Sequence, residues 1–281
     1  MTDIILDTCI DNIKVFPFLL VTYLLMELLE HKAGDKAKKA IQKSGAFGPV
    51  IGGILGIVPQ CGFSAAASNL YAGRIITAGT LMAIFLSTSD EMLPILLSES
   101  VSLTVILKIL TWKIGIAVLA GLLIDFIFRK KSVEENRIHQ LCEQQHCHCE
   151  KGVFRSALKH SLQIFAFLLI ISFILNCFMH YLGEDVLSGL LLNRSLMVVF
   201  LAGLIGLIPN CASSILITQL YLQNIISFGA MMAGLLAGAG IGILVLCRVN
   251  ENKKECIRII ALLYLIGTAA GILLELSGIQ V

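Results

Sequence analysis

Two strings of the chain combine groups able to hold a ligand: Pro59-Gln60-Cys61-Gly62-Phe63-Ser64 and Pro209-Asn210-Cys211-Ala212-Ser213-Ser214. Each sets a proline before a carboxamide, a thiol and a hydroxyl. Proline lacks an amide hydrogen and disfavours helix in the residue before it, so backbone carbonyls are freed nearby. In an apolar surrounding, such carbonyls are tolerated only where they are buried in protein or line a cavity. Helices starting near Gly62 and Ala212 would aim the positive ends of their dipoles at the same spot. Gln60, Asn210, Ser64 and Ser214 then offer neutral ligands for a substrate, and Cys61 and Cys211 offer thiols. The plainer reading is a proline-kinked helix packed by small residues.

A third string, Ser87-Thr88-Ser89-Asp90-Glu91-Met92-Leu93-Pro94, sets two adjacent carboxylates among three hydroxyls inside an apolar run. Charges within a membrane usually face a cavity or a partner. Asp90 and Glu91 are therefore expected to neutralise a bound cation or to carry protons, one raising the pKa of the other. The alternative is an external turn ended by Pro94. A fourth cluster is His139, Cys142, His146, Cys147, His148 and Cys149, three imidazoles and three thiols within eleven residues. They can supply four N/S ligands to zinc or another soft metal, although the spacing matches no standard finger. A polar loop with incidental Cys and His is the competing reading. Glu27, Glu30, His31 and His180 sit at segment ends, where they either guard entrances or are ordinary interfacial polar residues.

These groups need elements to position them, and those elements occur twice. At an offset of 150, Gly53, Gly56, Pro59, Cys61, Ser64, Tyr71, Gly79 and Met82 fall on Gly203, Gly206, Pro209, Cys211, Ser214, Tyr221, Gly229 and Met232. One residue less aligns Phe16, His31 and Gly34 with Phe165, His180 and Gly183. Residues 13–128 and 162–278 are thus two copies of one unit. The carboxylates are not duplicated, since Gly240 and Ile241 stand opposite Asp90 and Glu91. The organisation read from this is a first membrane repeat (1–128), a Cys/His-containing linker (129–161) and a second membrane repeat (162–281).

The chain has 281 residues, 57% hydrophobic and 14% charged, against roughly a quarter charged in soluble domains. The apolar runs are long, for example 16–29, 164–174 and 225–247, and several approach or exceed what a bilayer crossing needs. An all-α polytopic membrane protein is expected. A β-barrel would show alternating polarity. Asp3, Asp7 and Asp11 stand where a secretory signal would be basic, so no cleavable signal is expected. The net charge of +2 suggests no nucleic-acid partner. The nine cysteines are too scattered for a disulfide framework. No HExxH, Walker-type or GxSxG string occurs, so transport driven by something other than ATP hydrolysis in this chain is expected, and catalysis is not.

Five segments can be drawn per half, about 13–30, 46–58, 61–73, 75–97 and 103–128, then 162–182, 195–208, 211–223, 225–247 and 257–277. The pairs flanking Pro59 and Pro209 are short and read as re-entrant hairpins or paired half-spans, broken at those prolines. Lys32, Lys36, Lys38, Lys39 and Lys43, both ends of the linker, and Arg248, Lys253, Lys254 and Arg258 mark cytoplasmic loops. Segments 88–102 and 183–193 lack Lys and Arg. Both termini are then outside and the repeats are inverted. Spans interrupted by Gly and Pro in duplicated, inverted units are a transporter signature, with the site near midplane where the repeats meet. The glycines Gly48, Gly52, Gly56, Gly234, Gly238, Gly242, Gly267 and Gly271 read as close helix contacts rather than nucleotide loops.

Pro-Gln-Cys-Gly-Phe-Ser, Ser-Thr-Ser-Asp-Glu-Met-Leu-Pro, Ile-Pro-Asn-Cys-Ala and the Cys/His-rich linker resemble the bacterial family of ten-span heavy-metal exporters. Its members are labelled manganese transporters or arsenic efflux proteins. The resemblance covers nearly the whole chain and implies a ten-span, multi-pass protein of the bacterial inner membrane. The expected function is a secondary transporter exporting a divalent or heavy-metal ion, with the bilayer and the ion as partners. No cofactor is required, beyond a metal ion that the linker could hold. A homo-oligomer is left open. The runner-up is an arsenical or small organic-anion efflux carrier, and the alternative of another class is a membrane-embedded enzyme using the Cys and His groups. Manganese would favour the oxygens of Gln60, Asp90, Glu91 and Asn210, whereas arsenic(III) or a soft ion would favour Cys61 and Cys211.

Overall fold

The fold is that of a computed structural model, which describes residues 47–57, 61–89, 92–128, 196–250 and 252–279, apart from the side chains of Cys61 and Cys211, and isolated helical positions within 13–24 and 158–174. Among the described residues the structure is helical, without strands. The first half supplies α1 (Gly48–Leu55), α2 (Cys61–Ala72), α3 (Ala78–Ser87), α4 (Met92–Ser98) and α5 (Leu103–Phe128). The second half supplies α6 (Leu196–Gly206), α7 (Cys211–Leu222), α8 (Phe228–Ala237), α9 (Ile241–Val249) and α10 (Lys253–Leu276).

The same local chemistry starts and ends the matching helices. Pro49 sits in the first turn of α1, where its missing amide hydrogen costs nothing. Thr77 caps α3 by accepting from the Thr80 amide, and Ser227 caps α8 by accepting from the Ala230 amide. After α2 and α7 the chain turns through Arg74 and Asn224, both with φ of 58°. In the first half, the Asp125 carboxylate accepts from the Gly79 amide at 2.8 Å and from the Thr77 hydroxyl at 2.6 Å, tying the start of α3 to the end of α5.

Helices α3 and α8 form the centre, with nearly every residue buried. α1 and α5 flank α3, and α6 and α10 flank α8. The halves then exchange partners: α9 packs on α2, and α4 packs on α7. The outer faces of α5 and α10 expose Leu107, Leu119, Leu123, Phe126, Ile257, Leu265 and Leu273, apolar surface suited to lipid. Among the described residues, four stretches are long and apolar enough to cross a membrane: 78–98, 103–127, 228–249 and 253–276. α6 and α7 are shorter apolar helices. The expected all-α, multi-pass membrane class holds at this level.

Glycine decides how closely these helices approach. A Cβ on Gly79 would lie 2.2 Å from the Gly121 carbonyl oxygen, and one on Gly271 would lie 2.6 Å from the Gly229 carbonyl oxygen. The α3–α5 and α8–α10 crossings therefore pass backbone against backbone. Gly56, Gly234 and Gly242 would likewise meet Ser87, Ile217 and Ser64 within 3 Å, as expected of helix contacts.

One expectation needs correction. The sequence draws the fourth segment of each half as a single run, 75–97 and 225–247, with a turn ended by Pro94 as the alternative in the first. Each is instead two helices. α3 ends at Ser87 and Thr88 turns to φ −52°, ψ 128° before α4 begins at Met92. α8 ends at Ala237, and Gly240 takes φ 51°, a conformation that favours glycine, before α9 begins at Ile241. Hydropathy runs on across the second interruption, at Gly238-Ala239-Gly240, whereas the first coincides with the polar string Ser87-Thr88-Ser89-Asp90-Glu91.

Candidate functional site

The two breaks face one another across a cavity with a volume of about 20 Å³, room for one water or one small ion. The first half contributes Thr88, Ser89, Met92 and Lys113. The second contributes Gly206, Ser213, Ser214, Gly234, Leu235 and Gly238. The elements that bring them together are the two interrupted spans, the start of α7, the end of α6 and the middle of α5.

Lys113 dominates the site. It is 1% exposed, near the middle of an apolar 26-residue helix. Its Nζ donates to the carbonyl oxygens of Thr88 at 2.5 Å and Leu235 at 3.2 Å. Both carbonyls lie where a helix ends and no amide four residues on continues the ladder. One ammonium thus bridges the breaks of the two halves. The hydroxyls near it point their hydrogens at backbone: Thr88 Oγ1 donates to Ile84 O at 2.7 Å, Ser89 Oγ to Ser87 O at 3.1 Å, and Ser213 Oγ to Asn210 O at 2.7 Å.

The residues singled out from sequence divide into four groups. Ser214 lines the cavity. Asn210 caps α7, its side-chain oxygen accepting from the Ala212 amide at 3.2 Å. Ser64 is fully buried at the α2–α9 crossing, where a Cβ on Gly242 would lie 2.8 Å from its own Cβ. Nearby, Ser68 Oγ donates to Gly242 O at 2.7 Å. The duplication therefore does not place Ser64 and Ser214 alike: one packs helices and the other faces the cavity. Gln60, Asp90, Glu91, the side chains of Cys61 and Cys211, and the linker residues His139, Cys142, His146, Cys147, His148 and Cys149 lie outside the described residues, as do Glu27, Glu30, His31 and His180. Among the described residues no group of three or more His, Cys, Asp or Glu side chains could hold a metal ion.

Sequence reasoning missed Lys113. Its signal was a lysine between Trp112 and Ile114 near the middle of a span whose other charges, Lys108 and Asp125, stand nearer its ends, with Leu263 at the corresponding place in the second half. It also missed a polar knot between the halves. Arg74, after α2, forks onto Glu255 at the start of α10, with Nη1–Oε1 and Nη2–Oε2 both 2.9 Å. The Tyr71 hydroxyl donates to the same Oε1. The Glu255 carboxylate, through these hydrogen bonds above all, holds the Arg74 guanidinium further above its ordinary range.

The fold and the cavity define an all-helical, multi-pass membrane protein with a polar site between two interrupted spans. The family model described as "Putative, 10TM heavy-metal exporter" matches residues 1–191. The chain belongs to that family of membrane exporters. No curated protein and no solved structure matches it.

Proposed function

We propose that the protein is a secondary transporter of the bacterial inner membrane that exports a metal ion through the cavity between the interrupted spans. The observation that carries this reading is the pair of helix breaks meeting at one polar cavity, with lining residues from both halves. Interrupted helices that meet near midplane supply carbonyls and dipole ends to an ion, and rocking of one half against the other would expose it to each side in turn. Ser214 and Asn210 stand at that cavity or at the cap of the helix beside it, and Gln60, Cys61, Cys211, Asp90 and Glu91 are proposed to complete the ligand set. Ser64 is kept as a packing contact to the site rather than a ligand.

The two halves are proposed to be inverted repeats. Supporting this, α2 and α7 both have 12 residues and α3 and α8 both have 10, each pair starting at the offset of the duplication, and Phe16 and Phe165, equivalent residues, meet edge to face at 5.3 Å. Equivalent residues touch when they lie beside a two-fold axis. The basic loops are proposed to face the cytoplasm and both termini the outside. The linker cluster 139–149 is proposed to capture a soft metal and tune transport from outside the pathway.

The test is metal flux in inside-out membrane vesicles containing the protein, with Mn²⁺, Zn²⁺, Cd²⁺ and arsenite as separate probes. Accumulation of at least one ion above vesicles lacking the protein is expected. Accumulation of none, with the protein correctly inserted, contradicts the reading.

A further inference from the structure

We propose that the oxygen atoms gathered around the Lys113 ammonium form a site for a hard cation, which the lysine fills in this conformation and must vacate when a transported cation binds. The transport role rests on the reading above, but the site itself does not. The argument begins with hydrogen direction. Thr88, Ser89 and Ser213 give their hydroxyl hydrogens to backbone carbonyls of their own segments. What they leave for a ligand is lone pairs. The carbonyls of Thr88 and Leu235 are acceptors too, and both already serve a cation, the ammonium. These oxygens would offer an anion acceptors, not donors. A cation meets acceptors from two interrupted helices.

Carbonyl and hydroxyl oxygens are hard ligands, suited to Na⁺, Mg²⁺, Ca²⁺ or Mn²⁺ rather than to thiophilic ions. The cavity of about 20 Å³ beside the ammonium admits one ion-sized particle. The ammonium and an entering ion would compete for the same two carbonyls. Those carbonyls belong to different halves, so displacing Lys113 also unties the breaks. Loading is thereby linked to freedom of one half to move against the other. Only one lysine is needed, which accounts for Leu263 at the matching position.

The site can be tested without knowing the transported ion. Truncation in Lys113→Ala leaves the carbonyls without their ammonium, and a small cation should replace it. Thermal unfolding of wild type and variant is compared in methylammonium, Na⁺, Mn²⁺ and, as an oversized control, tetramethylammonium, all at equal ionic strength. Methylammonium or one of the metal ions should raise Tm of the variant by about 3 °C or more over the control, and of wild type by less than about 1 °C. Should Lys113→Ala fold only when a small cation is present, that dependence supports the site. Should it fold under no condition, Lys113→Gln, which keeps an amide donor, takes its place in the same comparison. A folded variant whose Tm is the same in all four salts overturns the assignment. Flux of no probe by wild type would overturn the transport reading and leave this result standing.

Discussion

Removal of the Arg74–Glu255 fork should weaken the tie between the two halves by an amount the geometry sets. An ion pair on an open surface contributes under about 1 kcal/mol, because water screens it and two long side chains lose freedom. Here the side chains are 28% and 18% exposed, and the contact is a two-point fork, with two N···O distances of 2.9 Å. Geometry of this kind raises the coupling to about 1–2 kcal/mol, roughly a tenfold change in an equilibrium. The pair closes one end of the structure, between the loop after α2 and the first turn of α10. At the matching positions of the other half stand Asn224 and Val105, which cannot form an ion pair. The measurement is a double-mutant cycle of Arg74→Ala, Glu255→Ala and the double variant, read by denaturant unfolding in detergent. A coupling of about 1–2 kcal/mol is expected, and Arg74→Lys should lose much of it because an ammonium cannot fork. A coupling below about 0.3 kcal/mol would show that the two residues act independently and refute the reasoning.

Gly79→Ala should destabilise the protein by about 1–3 kcal/mol, because its Cβ would lie 2.2 Å from the Gly121 carbonyl oxygen. Gly115→Ala on α5, with nothing within 4 Å, should be neutral or stabilising by up to about 1 kcal/mol; unfolding midpoints of the two variants check both. Asn210→Ser keeps a capping oxygen for α7 but removes the carboxamide, whereas Asn210→Leu removes both and should cost about 1 kcal/mol more. Both should lose metal flux, and flux retained by the serine variant would limit Asn210 to capping. Replacing His139, Cys142, His146, Cys147, His148 and Cys149 together should raise the metal concentration needed for half-maximal flux while maximal flux survives; abolished flux in a stable variant would put the cluster on the obligatory path.

Much of the architecture was legible because the bilayer writes long apolar runs and the duplication writes them twice. The ten described helices follow the drawn segments closely, and the glycines read as helix contacts are so. The two interruptions were not legible by the same means. The first falls at the polar string Ser87-Thr88-Ser89-Asp90-Glu91, which the sequence also allows to be a turn, and the second at Gly240, inside a run whose apolar character is unbroken and whose backbone conformation there suits glycine. The site was half legible. Of the residues singled out, Asn210 caps α7 and Ser214 lines the cavity. Ser64 matched it by sequence but not by surroundings, since its neighbour across the crossing is Gly242, a contact between halves that no repeat alignment displays. Lys113 was hidden for the opposite reason. It has no partner in the other copy, so a search guided by symmetry passes over it, although a lysine in the middle of an apolar span is costly enough to flag by itself.

The central claim is that a metal ion passes through the cavity between the interrupted spans. Its most direct test is the initial rate of metal flux into proteoliposomes for wild type, Ser214→Ala and Ser214→Phe, using whichever probe ion the vesicles accumulate. A phenyl ring exceeds the cavity of about 20 Å³. The account predicts that Ser214→Ala retains substantial flux and that Ser214→Phe, folded and inserted, retains none. Flux through Ser214→Phe equal to wild type would contradict it.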